Sequence, residues 1–261
     1  MTSAAPAEDS DHRGQLEKLA RRGSASVVGA AFSAVFGVVL VVIVTNGFSA
    51  TLAGTLFAAT SAFLIIEATT LLGTDTGLVR WLPAHLASGR GRDLPRTLVV
   101  ASLPVLVLSL GAAVGLYAAA PALGPAMVGA DAASTMTTML RALALVLPVA
   151  AMHDLVLAAT RGAGSMRPTI MVENIGRIGL QAMAVLGVFL AGGGPVALAL
   201  AWSLPYAAGL AAGTWWLRRQ VLRATTGQGA PTPWHELARE FWAYTAPRAI
   251  ARITQTALKR S

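Results

Sequence analysis

The sequence predicts an all-α, polytopic membrane protein built on a six-helix transmembrane bundle. Three observations carry that prediction. Hydrophobic residues make up 55% of the 261 positions and charged residues only 12%, against about 25% charged in a soluble domain. Six continuous apolar runs recur, each close to the ~20 residues a helix needs to cross a bilayer core. Arginine and lysine fall in every second connection between those runs, as topology rules require of a multi-pass protein. The runs are continuous and too long for the alternating strands of ~10 residues in a membrane barrel. The net charge of +8 would suit nucleic acid in a soluble chain. Here it marks helix ends, and no nucleic-acid partner is expected. The absence of cysteine excludes disulfides, thiolate zinc sites and a cysteine nucleophile.

In chain order, residues 1–24 read as a cytoplasmic tail carrying Arg13, Lys18, Arg21 and Arg22, its small polar beginning disordered. Spans follow at roughly 25–45, 51–72, 97–119, 136–158, 169–191 and 196–217. The second connection holds Arg80, Arg90, Arg92 and Arg96, and the fourth holds Arg161 and Arg167. Arg218, Arg219, Arg223 and Arg239 come after the sixth span, whereas connections 46–50, 120–135 and 192–195 hold no Lys or Arg. Positive residues face the cytoplasm, so the N-terminus and every second loop are expected there, in the cell membrane. The first span is too long for the core of a cleaved signal. Its Gly29, Ser33 and Gly37, four apart, permit close helix packing. Pro104, Pro148, Pro205, Gly209 and Gly213 lie inside spans, where neighbouring helices satisfy freed backbone groups. Residues 218–240 read as a cytoplasmic linker. Thr232 and Pro233 begin an interfacial helix there, with Trp234, Ala238, Phe241 and Trp242 on one face. Residues 241–261 read as the opening of a seventh span.

Ionisable side chains at membrane depth are costly and face a bundle interior or a wet cavity. The fifth span holds Glu173, Asn174, Arg177 and Gln181. Arg177 lies about 12 Å inside it, near mid-bilayer. Glu173 and Arg177 are i,i+4 neighbours able to pair, with Asn174 and Gln181 continuing that side. The stripe lines a cavity or, alternatively, joins helices as structural glue. Glu67 in the second span is a further cavity candidate. His153 and Asp154, near the inner end of the fourth span, are a proton-sensitive pair or an interfacial hydrogen-bonding unit. Arg141 enters the fourth span from the outer end, where it can snorkel.

Enzyme signatures are missing. No G-x-x-x-x-G-K-[ST] phosphate loop and no G-x-S-x-G elbow occurs. The histidines His12, His85, His153 and His235 have no metal-ligand spacing. No catalytic residue, metal or cofactor is expected. The glycines of Ser88-Gly-Arg-Gly-Arg92 read as a cytoplasmic turn.

Three segments resemble a known family. Leu72-Gly-Thr-Asp-Thr-Gly-Leu-Val-Arg-Trp-Leu-Pro83 resembles the first intracellular loop of polysaccharide flippases of the multidrug/oligosaccharidyl-lipid/polysaccharide exporter superfamily. Ala159-Thr-Arg-Gly-Ala-Gly-Ser-Met-Arg-Pro168 is similar to their second intracellular loop, and Phe241-Trp-Ala-Tyr-Thr-Ala-Pro-Arg-Ala249 to the start of their seventh helix. The resemblance implies one half of a twelve- or fourteen-helix fold, in which two bundles enclose a cavity. It implies alternating-access movement of lipid-linked oligosaccharide, often driven by an ion gradient. Membrane lipids, the lipid-linked substrate and a missing C-terminal half or second half-transporter copy would be the partners. On position and type, Arg177 would meet a diphosphate, Glu173 would hold its guanidinium when the cavity is empty, and Asn174 and Gln181 would meet sugar hydroxyls. Asp75 and Arg80 would form the cytoplasmic gate. A multidrug exporter of the same superfamily and a membrane enzyme of lipid or glycan synthesis are the alternatives.

Overall fold

The computed structural model describes residues 6–225 and 231–258, with side chains over 26–225 and 231–247. Among the described residues every regular element is helical. The order is α1 (Pro6–Gly47), α2 (Ala50–Thr70), α3 (Thr74–Ala87), a 3₁₀ turn (Gly91–Asp93), α4 (Leu94–Val128) and α5 (Ala133–Gly162). A π-helical segment (Thr169–Arg177), α6 (Ile178–Leu190), α7 (Pro195–Ser203), α8 (Pro205–Ala224) and α9 (Trp234–Leu258) complete it. Five stretches are long and apolar enough to cross a membrane: Ser26–Gly47, α2, Gly91–Val128, α5 and Pro195–Ala224. The chain is an all-α, multi-pass membrane protein.

The expected fifth span, 169–191, is not one of these five stretches: it is helical in two shorter pieces, the π segment and α6, and Pro205 splits the sixth into α7 and α8. Proline has no N–H for the carbonyl four residues back, and at this break Ala207 bonds back to Leu204 instead. The helix of the first span begins at Pro6, where a disordered tail was expected; residues 1–5 lie outside the described residues. Helix formers from Gln15 to Arg22 carry the helical ladder out of the apolar run. Likewise α4 runs to Val128, past the expected end near 119, with Pro121 and Pro125 inside it. Gly129 at φ +78° stops it, a conformation glycine adopts without a Cβ penalty.

Sequence reasoning read the second connection as a loop, yet it folds as α3. Leu72 at φ +50° and Gly73 at φ +69° turn the chain into it. Asp75 sits in its first turn, where a carboxylate favours the helix dipole.

Helix α5 is the axis of the bundle: 72% of its apolar window is buried, against 11% for α1. It packs on α2, α3, α4, α7 and α8, while α1 lies against the π segment and α6. One apolar core gathers Phe63, Met136, Leu140, Leu147 and Leu198. A second, toward the arginine-rich end, gathers Leu78, Leu82, Val105, Leu155 and Phe241. Val38, Val107, Val114 and Leu190 point outward, an apolar exterior that a bilayer covers. Of the small-residue ladder on α1, Gly29 is a close contact with Ile170 and Asn174, whereas Gly37 has open space beside it.

The arginine-rich end is held by a polar clamp. Asp93, almost fully buried, accepts the Thr232 N–H at 2.8 Å, the Thr232 hydroxyl at 2.6 Å and the Arg90 Nε–H at 2.9 Å. Arg96 donates to the Thr232 carbonyl at 2.8 Å and lies 5.2 Å over the Trp234 ring. Gly91 packs directly on the Ala224 carbonyl. The turn read at Ser88–Arg92 therefore holds both ends of the connection from α8 to α9. This docking corrects the expected interfacial face of α9. Leu237, Phe241 and Thr245 are buried, Ala238 and Trp242 are half-buried, and Trp234 is 49% exposed. The helix seats an i, i+4, i+8 stripe against α3 and α4. The cations Arg248, Arg252, Lys259 and Arg260 at the would-be seventh span have side chains outside the described residues.

Asp93→Ala removes an acceptor of three hydrogen bonds and leaves a backbone donor unpaired, a cost of about 2 kcal/mol. Limited trypsin digestion should then cut faster at Arg223 and Arg239. An unchanged digestion rate would show that the clamp contributes nothing. Nearby, burial first and Arg90 second hold the His85 imidazolium below its ordinary value. A depressed histidine contributes stability that is present above the ordinary histidine range and lost as pH falls through it. Thermal unfolding of wild type should show that acid sensitivity, and His85→Gln should reduce it.

Candidate functional site

A buried polar cluster is assembled from the C-terminal half of α5, the π segment and the kinked α7–α8 pair. Its centre is Arg177, with 12% of its side-chain surface exposed. The guanidinium makes a two-pronged pair with Glu173, Nε at 2.9 Å and Nη2 at 2.5 Å. Nη1 donates to the Gln181 Oε1 at 3.0 Å. Gln181 in turn donates to the Trp202 carbonyl at 2.7 Å, beside the Pro205 break. The Tyr206 ring lies beneath the guanidinium, 4.6 Å from its carbon. Three of the five N–H donors of the fork meet oxygens and one face of its plane meets a ring, a use of the planar guanidinium that lysine could not copy.

His153 joins from α5, fully buried. Its Nδ1 is 2.9 Å from the Asp154 Oδ1 and its ring stands edge-on to Tyr206 at 5.3 Å. Its Nε2 lies 3.5 Å from the Glu173 Oε2, yet it has no hydrogen-bond partner; the contact is an ion-pair distance without hydrogen-bond alignment. A Cβ on Gly209 would stand 2.6 Å from that nitrogen, so a glycine on α8 is what admits the imidazole.

Of the residues singled out in the sequence, Glu173, Arg177, Gln181, His153 and Asp154 come together. Glu67 faces the same region from α2. It is 5% exposed, its Oε1 lacks a hydrogen-bond partner, and Asp154, Glu173 and Arg177 all act on it electrostatically. Asn174 does not join: its side chain lies beside Gly29 of α1. Consecutive positions on any helix point about a quarter-turn apart, so the neighbour of Glu173 is turned to another helix. Arg80 sits apart, on α3, whereas Asp75 of the same helix acts electrostatically on Glu67. Asp75 is half-buried in the first turn, and the Arg80 guanidinium lies 4.1 Å over Tyr244 of α9. Arg141 lies over Tyr117 at 5.0 Å, half-buried, its Nε without a partner. Sequence reasoning missed Tyr206 and the Trp202 carbonyl. The available signal was Pro205 between them, since a break inside a span frees backbone groups that polar side chains then meet.

His153, Asp154 and Glu173 offer ligand atoms within 4.8 Å of one another. Both Glu173 oxygens accept from Arg177, and the two His153 nitrogens face different carboxylates. The arrangement is an ion-pair network in which both oxygens of Glu173 are already engaged by Arg177. Comparison with protein-family models and with curated proteins finds no match for this chain.

Proposed function

We propose that this bundle belongs to a transporter that moves an anionic, lipid-linked oligosaccharide across the cell membrane by alternating access, with the N-terminus cytoplasmic. The observation that carries the reading is Arg177. A buried guanidinium, held by one carboxylate and one amide, is poised to exchange its carboxylate for a phosphate of matching shape. In the empty state Glu173 neutralises it, since an unpaired charge at this depth is costly. On binding, the diphosphate takes the two-pronged contact and Gln181 turns toward a sugar hydroxyl. The resemblance of three segments to polysaccharide flippases supplies the substrate class and suggests that a second bundle completes the cavity. The arginine-rich loops fit a cytoplasmic face, where Arg80 would meet the headgroup at the mouth.

The test is photolabelling of the chain in membranes by a lipid-linked oligosaccharide diphosphate carrying a photoreactive lipid. Wild type should be labelled and Arg177→Gln should lose most of that labelling. Equal labelling of the two would remove Arg177 from the role, and protection by cationic drugs alone would favour the exporter of drugs.

A further inference from the structure

The His153 nitrogen that faces Glu173 has no role in the resting network. An Asp154 carboxylate can only accept, so Nδ1 donates across the 2.9 Å contact, and in the neutral imidazole Nε2 then carries a lone pair. It stands 3.5 Å from a carboxylate oxygen, buried and unbonded. A lone pair against an anion is a repulsive contact, and polar atoms at this depth are normally paired. The same Glu173 Oε2 accepts from the Arg177 Nε. One oxygen therefore stands between a guanidinium and an imidazole, and only the imidazole has a free nitrogen to take up a proton.

We infer that His153 is a proton-operated release for Arg177: a proton bound at Nε2 makes Glu173 a partner of His153 and frees the guanidinium for an anionic ligand. This inference rests on the reading of Arg177 as the anion-binding group. The added proton turns the lone-pair contact into a charge-assisted hydrogen bond to Oε2. Glu173 then divides its charge between two cations, and its hold on Arg177 weakens when a phosphate-type anion arrives. No bond other than N–H forms, and the proton comes from and returns to water. Deprotonation restores the carboxylate to Arg177 and expels the anion, so anion uptake and proton uptake are linked. By reciprocity, the anion raises the proton affinity of His153 to the same degree.

The charged and titratable groups facing His153 come from every element packed on it. Asp154 lies on its own helix, Glu173 on the π segment and Tyr206 on α8; Glu173 in turn feels Arg177 and Arg161, and Glu67 on α2 feels Glu173 and Asp154. Asp154 remains the Nδ1 acceptor in both states and holds the ring in place. Gly209 supplies the space in which the proton is received.

The experiment uses the full chain in phosphatidylcholine nanodiscs and radiolabelled sulfate, whose charge is constant between pH 5.5 and 8. Wild type should bind sulfate about fivefold or more tightly at the lower pH, the smallest ratio expected of two coupled sites. His153→Gln should bind with the weak, pH-8 affinity at both values. Glu173→Gln, which loses the competing charge, should bind with the strong affinity at both, and it reports even where the histidine variant folds poorly. Equal pH dependence in wild type and His153→Gln would overturn the release. Sulfate binding that survives Arg177→Gln, or none in wild type at either pH, would instead overturn the reading of Arg177.

Discussion

Replacing Arg177 by alanine should cost about 3 kcal/mol of stability, and the double variant Glu173→Leu/Arg177→Met should recover most of that loss without recovering the bound anion. The first effect follows from leaving Glu173 buried without its cation. Breaking a buried pair costs about 3–5 kcal/mol, and the lower end applies because the carboxylate keeps 24% of its side-chain surface exposed. The recovery follows because two apolar residues of similar volume need no desolvation offset. Thermal unfolding in one detergent measures the first, and the photolabelling described above measures the second. If alanine leaves the unfolding temperature unchanged, the pair is not holding the bundle together. If the double variant still binds anion, Arg177 is not the group that receives it.

Gly162→Val should be more damaging still to assembly. The last residue of α5 touches α3 so closely that a Cβ would lie 2.5 Å from the Leu78 carbonyl oxygen and 3.1 Å from a Leu82 methyl. A carbonyl inside a helix cannot move aside as a side-chain end can, so α3 would have to shift as a unit. Overpacking of this kind costs about 1–3 kcal/mol and occasionally more, and valine adds two further methyl groups. The valine variant should reach the membrane fraction at a small part of the wild-type level. Gly111→Ala, a position with open space beside it, should be unharmed. Similar yields for both would show that the α3–α5 contact is dispensable.

The fold class was legible because apolar run length and arginine placement are set by the bilayer, which acts on the chain uniformly. The polar stripe was legible for a related reason: Glu173, Arg177 and Gln181 stand out on an apolar background and repeat at helical spacing. Three things were not. The assignment of Asn174 to that stripe failed, because the direction of one residue depends on local winding, and the segment is π-helical rather than α-helical. Helix α3 was hidden by its mixed composition, since its helical register is decided by packing on α5 and α9 rather than by its own pattern. The buried face of α9 was also misplaced. Trp234 and Trp242 looked like interface anchors, but Asp93 and Thr232, 139 residues apart, fix the rotation of that helix. No local reading of either segment contains that pairing.

Helices of the π type wind each turn around one more residue than the α-form, because every backbone bond reaches to the fifth neighbour instead of the fourth. Between Thr169 and Arg177 the chain is therefore carrying surplus length. Removing a single residue there, such as Ile175, would let the ladder relax to the ordinary form. Glu173 would swing by about 100° relative to α6, out of line with His153, although every side chain of the cluster were still present. The constellation is thus written in the number of residues as much as in their identities. Insertion or deletion of one codon there would create or erase it in a single step, which a scan of substitutions alone would never reveal.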